Sequence, residues 1–264
     1  MRAGMVAAAV AAVLVGGACG DSGGGGSSDL AKLLSDSTAR IRQSSERVAI
    51  DVRVSSPQLP NPAHITGSGE FDNAAHRGVI TEQIPDLSGG GGGPQEIEIR
   101  EIGRTLYIRA PGGGTPGKPW IETDTSTFGA QSGSFDSSDP TQFLDYLQGA
   151  SRGITDRGDD TIRGDHTRKL AVRIDLRKAA AKLGPQQRQA IEQAIEQLGT
   201  STLPAQVWID DEGRLRKMSF SFHVQENGQR ADLTVSLELF DFGVNVDVEA
   251  PPKSQVSQSG LGGM

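Results

Sequence analysis

Apolar and polar residues alternate in many short segments of this chain, and this pattern is what most constrains its fold. Residues 48–54 show it clearly, since Val48, Ile50 and Val52 take every second position. A period of two is typical of a β-strand with one buried face. Similar segments lie at 64–71, 77–84, 96–102, 105–109, 120–123, 169–176, 204–209, 215–224 and 233–248. Their spacing is too short for parallel crossovers, so the sequence predicts one strongly curved antiparallel sheet.

Three other segments have the spacing of amphipathic helices. Two of them, 29–43 and 139–149, begin at polar residues of the kind that cap helices. The third, 175–198, is interrupted by Gly184 and Pro185, so two short helices are expected there. An exposed apolar sheet face must be covered, and these helices are the candidates for covering it. The sequence therefore predicts a single α+β domain.

The first 18 residues have the features of a secretory signal peptide. Arg2 supplies a positive charge, and residues 5–15 form an apolar run of suitable length. Small residues then precede Cys19, which resembles the lipobox of bacterial lipoproteins, although Gly16 stands where leucine is usual. The sequence predicts lipidation of Cys19 after cleavage and attachment to the extracytoplasmic face of the cell membrane. The alternative is an uncleaved signal anchor with an incidental cysteine.

Composition divides the remainder into three parts. Glycine and serine dominate residues 19–28, which we interpret as a flexible tether. The alternating and helical segments fall within 29–252, the predicted folded domain. Residues 253–264 are small and polar and are predicted to be a disordered tail.

Charge and residue content exclude several classes of function. The formal charge of -7 argues against a nucleic-acid partner. A lone cysteine makes no internal disulfide, and no motif calls for a cofactor. Asp165 and His166 form the most plausible catalytic cluster with nearby acids, but adjacent strand residues point to opposite faces. Residues 210–213 read as a hairpin turn and not as a calcium loop. We therefore expect no enzymatic activity.

Several features in order along the chain resemble one family. They are Cys19, the first amphipathic helix, the run Pro204-Ala-Gln-Val-Trp-Ile-Asp-Asp-Glu-Gly-Arg-Leu215 and the closing Phe240-Asp-Phe-Gly243, followed by Pro251-Pro252. Together they resemble the actinobacterial LppX/LprAFG lipoproteins, which are similar in fold to the lipoprotein carrier LolA. The likeness covers 29–252, with departures in a glycine-rich insertion at 89–93 and a long loop at 124–138.

The resemblance implies a half-barrel whose concave face is covered by helices and encloses an apolar cavity. The implied ligand is an acylated lipid or lipoglycan, the membrane is a second partner through the anchor, and an envelope lipid exporter is a candidate third. Alternation then assigns the cavity lining to Val52, Val54, Ile97, Ile99, Leu106, Ile108, Val172, Ile174, Leu183, Ile191, Ile195, Val207, Met218, Phe220, Phe222, Val235 and Leu237. The alternative is a solid core in a ligand-free interaction or sensor module.

Overall fold

The computed structural model describes residues 23–57, 59, 61–85, 93–125, 147, 153–181, 184–226 and 229–257. Three helices in these ranges are α1 (Gly23–Ile41), α2 (Leu176–Ala180) and α3 (Pro185–Leu198). The strands are β1 (Ser45–Ser55), β2 (Ala63–Asp72), β3 (Arg77–Ile84), β4 (Gln95–Ile102), β5 (Thr105–Arg109), β6 (Trp120–Asp124), β7 (Thr155–Ile162), β8 (Asp165–Asp175), β9 (Thr202–Asp210), β10 (Leu215–Glu226), β11 (Gln229–Phe240) and β12 (Val256–Ser257).

Within the described ranges all twelve strands belong to one sheet, in the order β12-β6-β5-β4-β3-β2-β1-β11-β10-β9-β8-β7. Neighbouring strands are antiparallel except for the short pair of β12 and β6, which is parallel. The sheet is open between β12 and β7, as a half-barrel requires. The predicted α+β class, a curved sheet with helices over one face, is confirmed.

Strand register explains why one face of the sheet is apolar. Ile50 pairs with Leu237, Leu237 with Met218, and Met218 with Val207. Paired residues on neighbouring strands point to the same side, so these four form one transverse row. All four are buried, and Leu34 of α1 belongs to the same core. The helices therefore cover the face that the alternation marked as apolar.

The structure differs from the prediction at the start of α1 and at strand β7. Helix α1 begins at Gly23, six residues before the expected start, and so includes part of the predicted tether 19–28. Glycine has low helix propensity, which is why the sequence did not indicate this turn. Strand β7, Thr155–Ile162, was not predicted because its residues are almost all polar and exposed. Pairing with β8 makes it a strand despite its composition.

The C-terminal prediction also needs correction. The strand expected over 233–248 ends at Phe240, because Asp241 and Gly243 have positive φ angles of 51° and 85° that turn the chain away from the sheet. Residues 241–257, called here the C-terminal strap, run from the start of β1 to β6. Gly243 donates its backbone N–H to Ser45 O at 2.8 Å.

The far end of the C-terminal strap is held in place by residues that are distant in the sequence. Arg100 Nη1 donates to Glu249 O at 2.9 Å, and Val256 pairs with Trp120 in the β12–β6 ladder. Residues 253–257 are thus a 3-10 turn and a strand instead of the predicted disordered tail. The rest of that tail, like the predicted signal peptide, Cys19 and most of the predicted helix 139–149, lies outside the described residues. Leu147 of that helix is described, as helical and buried.

Candidate functional site

The helix-covered face holds every described residue that was predicted to line a cavity. Register establishes this: Val52 pairs with Val235 and Phe222 pairs with Leu233, on the same side as the buried rows. Leu183 lies outside the described residues. The face is divided by burial, and its deep part consists of Ile99, Leu106, Ile108, Val172, Ile174, Ile191, Val207, Met218, Phe220, Val235 and Leu237. The other described residues that were predicted to line the cavity are half-buried: Val52, Val54, Ile97, Ile195 and Phe222.

Half-buried apolar side chains lie side by side on four neighbouring strands. Val54 pairs with Leu233, and Leu233 pairs with Phe222. Val52 and its partner Ile65 extend the set across β1 and β2. We call these five residues the apolar stripe. They are adjacent and retain exposure to solvent, so the stripe offers a continuous apolar surface that a ligand can reach.

Sequence reasoning missed two members of the apolar stripe. Ile65 and Leu233 have the correct parity for this face, but they were not assigned to a ligand surface. The register would have identified them, because each lies opposite a residue that was assigned, Val52 in one case and Phe222 in the other. Alternation gives the face of a residue, whereas its neighbours on adjoining strands give its burial.

Helices α2 and α3 lie at one side of this face. Asp175 caps α2 by accepting backbone N–H bonds from Arg177 and Lys178, at 3.1 and 3.2 Å. Helix α3 begins at Pro185 and contacts β10, with Ile195 half-buried at the interface. The predicted division into two short helices is confirmed.

Most side chains on the opposite face of the sheet are polar, and no α-helix of the described ranges covers it. Two adjoining depressions of about 510 and 760 Å³ both include Ser219 in their walls. Their walls combine short polar side chains with charged ones and with Trp208. The hydroxyl oxygens of Ser221 and Thr234 are 3.2 Å apart. Such a surface can hydrogen-bond to a polar molecule.

The histidine cluster that was weighed as a catalytic unit is a surface ion-pair group. His166 Nδ1 lies 2.9 Å from Asp211, and Nε2 lies 3.7 Å from Asp159. The hydrogen bond to Asp211 raises the pKa of His166 above its ordinary value. Asp165 turns away and pairs with Arg216 at 2.6 Å. Among the described residues, no group of His, Cys, Asp and Glu side chains is arranged to hold a metal ion.

Spanning a bilayer requires a long, apolar helix. In the part of the chain that the structure describes, no helix combines that length and apolarity. The predicted attachment point, Cys19, precedes the described residues.

Comparison with known proteins gives a likeness at the level of structure. No protein-family model and no curated protein matches the chain. The crystal structure of LprF from Mycobacterium bovis aligns over 85% of this chain and 97% of its own, at 16% identity and a TM-score of 0.45. That of the Mycobacterium tuberculosis lipoprotein LppX aligns over 85% and 100%, at 14% identity and a TM-score of 0.45.

A third similar structure is a putative outer membrane lipoprotein-sorting protein domain from Vibrio parahaemolyticus. It aligns over 84% of this chain and 95% of its own, at 9% identity and a TM-score of 0.32. The LppX/LprAFG lipoproteins that the sequence resembles are represented among the similar structures. At such identities and TM-scores, this likeness defines neither a family nor a ligand for this chain.

Proposed function

We propose that this protein is a membrane-anchored lipoprotein that binds the acyl chains of a lipid or lipoglycan on its helix-covered face. The observation that carries the proposal is the apolar stripe, which is continuous over four strands and half-exposed. Binding is by burial alone and involves no covalent step. Each methylene removed from water contributes about 0.8 kcal/mol, so only a continuous apolar surface can hold a chain taken from a bilayer.

The stripe adjoins the deep part of the same face. Val52 of the stripe pairs with Val235, which is buried. An acyl chain that lies on the stripe therefore ends against packed side chains, and deeper entry requires the covering helices to move. Protein interiors are close-packed, so such entry must displace helix side chains from the sheet.

A second candidate is a ligand-free interaction or sensor module on the same scaffold. The observation that favours it is the tight packing of the deep part, where Val207, Met218 and Phe220 are 1% exposed or less. Native mass spectrometry of protein purified from its own host separates the two candidates. Bound lipid supports the carrier, and a lipid-free spectrum supports the module.

The anchor is the first prediction. Replacing Cys19 by serine is expected to move the protein from the membrane fraction to the soluble fraction, because the lipid would be attached to the sulfur atom of the cysteine. Fractionation followed by immunoblotting measures this. If Cys19→Ser remains membrane-bound at the level of the unaltered protein, the anchor prediction is wrong.

The apolar stripe supplies the second prediction. Phe222→Asp is expected to lower lipid binding at least tenfold, because an unpaired carboxylate against an acyl chain loses its hydration. The measurement is transfer of a phosphatidylglycerol with a fluorescent acyl chain from vesicles to the protein. Ser221→Asp is the matched control, since it adds the same charge one residue away on the polar face.

These two variants discriminate between faces of one strand. Retained transfer with Ser221→Asp, together with loss with Phe222→Asp, supports the stripe. Equal transfer by both variants would contradict the assignment. Thermal unfolding of both proteins shows whether any loss arises from unfolding.

A further inference from the structure

A fully buried carboxyl group lies where α1 meets the sheet. Glu46, the second residue of β1, is 0% exposed. Asn73 Nδ2 donates to Glu46 Oε1 at 2.6 Å and to Ile41 O at 2.9 Å. Ser44 Oγ lies 2.5 Å from Glu46 Oε2 and 3.0 Å from Ile41 O. We call these four residues the Glu46 latch, because they join the last residue of α1 to β1 and to the end of β2.

The hydrogen bonds of the Glu46 latch depend on the protonation of Glu46. Ser44 has one hydroxyl proton but lies within bonding distance of two acceptors, Glu46 Oε2 and Ile41 O. A protonated Glu46 donates to Ser44 Oγ, which leaves the serine proton for Ile41 O. An ionised Glu46 cannot donate, so Ser44 must give up one of the two bonds. The complete set of bonds therefore requires the neutral acid.

Charge acts in the same direction. Burial is the main cause that raises the pKa of Glu46 to about 7, against an ordinary value of 4.5, and the nearby Asp72 raises it further. The hydrogen bonds from Ser44 and Asn73 oppose this rise. An ionised Glu46 also faces the carbonyl end of α1, where the helix dipole is negative. Its neighbour Arg47 does not compensate, because it pairs with Asp241 at 3.1 Å.

A second observation is that the packing of α1 buries an unsatisfied polar group. Ser37, one turn before Ile41, is 0% exposed, and its hydroxyl has no hydrogen-bond partner among the described residues. A buried unpartnered hydroxyl destabilises the packed state, and water would satisfy it once the helix lifts. Ionisation of Glu46 therefore weakens the packing of a helix that is already destabilised by the buried hydroxyl of Ser37.

We propose that α1 is a cover that lifts from the sheet as the pH rises through neutrality, and that deprotonation of Glu46 within the latch releases it. Helix α1 contacts β10, the strand that carries Phe220 and Phe222. Lifting α1 would therefore expose the deep part of the apolar face. This regulatory role rests on the proposed lipid-binding function, whereas the movement of α1 does not.

The direction follows from linkage. A raised pKa in the packed state means that packing is most favourable below pH 4.5 and weakens as the pH rises through about 7. With these two values, the equilibrium constant for opening increases about tenfold between pH 6 and pH 8. Hydrogen exchange of the backbone amides of residues 30–41, corrected for the intrinsic rate at each pH, measures this constant.

Glu46→Gln is the central variant. Glutamine keeps the carbonyl that accepts from Asn73 and donates to Ser44, as the neutral acid does. We expect its opening to be independent of pH, whereas the unaltered protein shows the tenfold increase. Glu192→Gln makes the same change on the exposed surface of α3 and is expected to follow the unaltered protein. Flat exchange in the unaltered protein, or an unchanged pH dependence in Glu46→Gln, would overturn the proposal.

Ser44→Ala gives an independent test if Glu46→Gln does not fold. It removes the hydroxyl that accepts from the neutral acid and donates to Ile41 O, so the midpoint of opening must move. A midpoint that stays in place counts against the latch. Lipid transfer from the phosphatidylglycerol vesicles is then compared at pH 6 and pH 8. No transfer at either pH would overturn the lipid-binding function and leave the exchange result on α1 standing.

Discussion

Phe220→Ala is expected to lower the free energy of unfolding by about 3 to 5 kcal/mol, the usual cost of removing a buried aromatic ring. Phe220 is 1% exposed, and its strand partners Val235 and Ala205 are also buried. Chemical denaturation measures the change. The matched comparison is Phe222→Ala, two residues along the same face, where the ring is half-buried.

This pair of variants tests the division between the deep part of the face and the apolar stripe. A smaller loss of stability is expected for Phe222→Ala, since part of its surface is already in water. Equal losses would mean that the stripe is ordinary core and that no surface remains for a ligand. The solid-core alternative would then be the better description.

Asp210→Ala is expected to cost about 3 to 5 kcal/mol, because it removes the buried carboxylate partner of Arg216 and leaves that guanidinium with only the half-exposed Asp165. The side chains of Asp210 and Arg216 are only 4% and 8% exposed, with 2.8 Å between Oδ2 and Nε. Asp210 Oδ2 also accepts from Arg214 Nε at 2.8 Å. Its Oδ1 closes the β9–β10 turn by accepting the backbone N–H of Glu212 and Arg214.

Asp211→Ala is the control, since it removes a carboxylate from the adjacent position of the same turn. That side chain is 78% exposed and bonds to His166 at the surface. Its loss is expected to change stability by less than about 1 kcal/mol. Similar effects of the two substitutions in chemical denaturation would show that burial of the Asp210 pair has no energetic consequence.

The two buried acids Asp210 and Glu46 act in opposite directions, so their combined contribution to stability is greatest in mildly acidic solution and declines both below pH 3.8 and as the pH rises to about 7. Burial opposes ionisation of Asp210, but the hydrogen bonds and charges of Arg214 and Arg216 hold its pKa below the usual value. Its contribution is present above pH 3.8 and is lost as the pH falls through the lowered pKa. Glu46 has the opposite sign, because its raised pKa weakens the fold as the pH rises.

Most strands could be predicted because alternation is a local property of the chain. Residues 77–84 and 105–109 were predicted with the bounds that the structure has. Strand β7 could not be, since its residues are nearly all polar and only its pairing with β8 makes it a strand. The prediction for the C-terminal strap was wrong for a related reason. Its apolar alternation through Val248 continues beyond the point where Asp241 leaves the sheet.

The sequence predicted which face of the sheet carries the candidate site, but not which residues of that face a ligand can reach. Parity placed Phe220 and Phe222 together, and both are on the helix-covered side. It could not show that one is buried and the other half-exposed, because that depends on which helices lie over each position. The proposed ligand surface follows from this difference.

The sequence by itself determined which side of most strands is apolar and where the helical stretch 175–198 is interrupted. These properties depend on residues close together in the chain. Only the tertiary structure brought Ile41, Glu46 and Asn73 into contact at one end of α1. A glutamate at an inward position of β1 breaks the apolar alternation without explanation in sequence. Its hydrogen-bond partners come from a helix end and a turn that become neighbours only when the sheet forms, and that is why folding alone decides whether this acid is neutral.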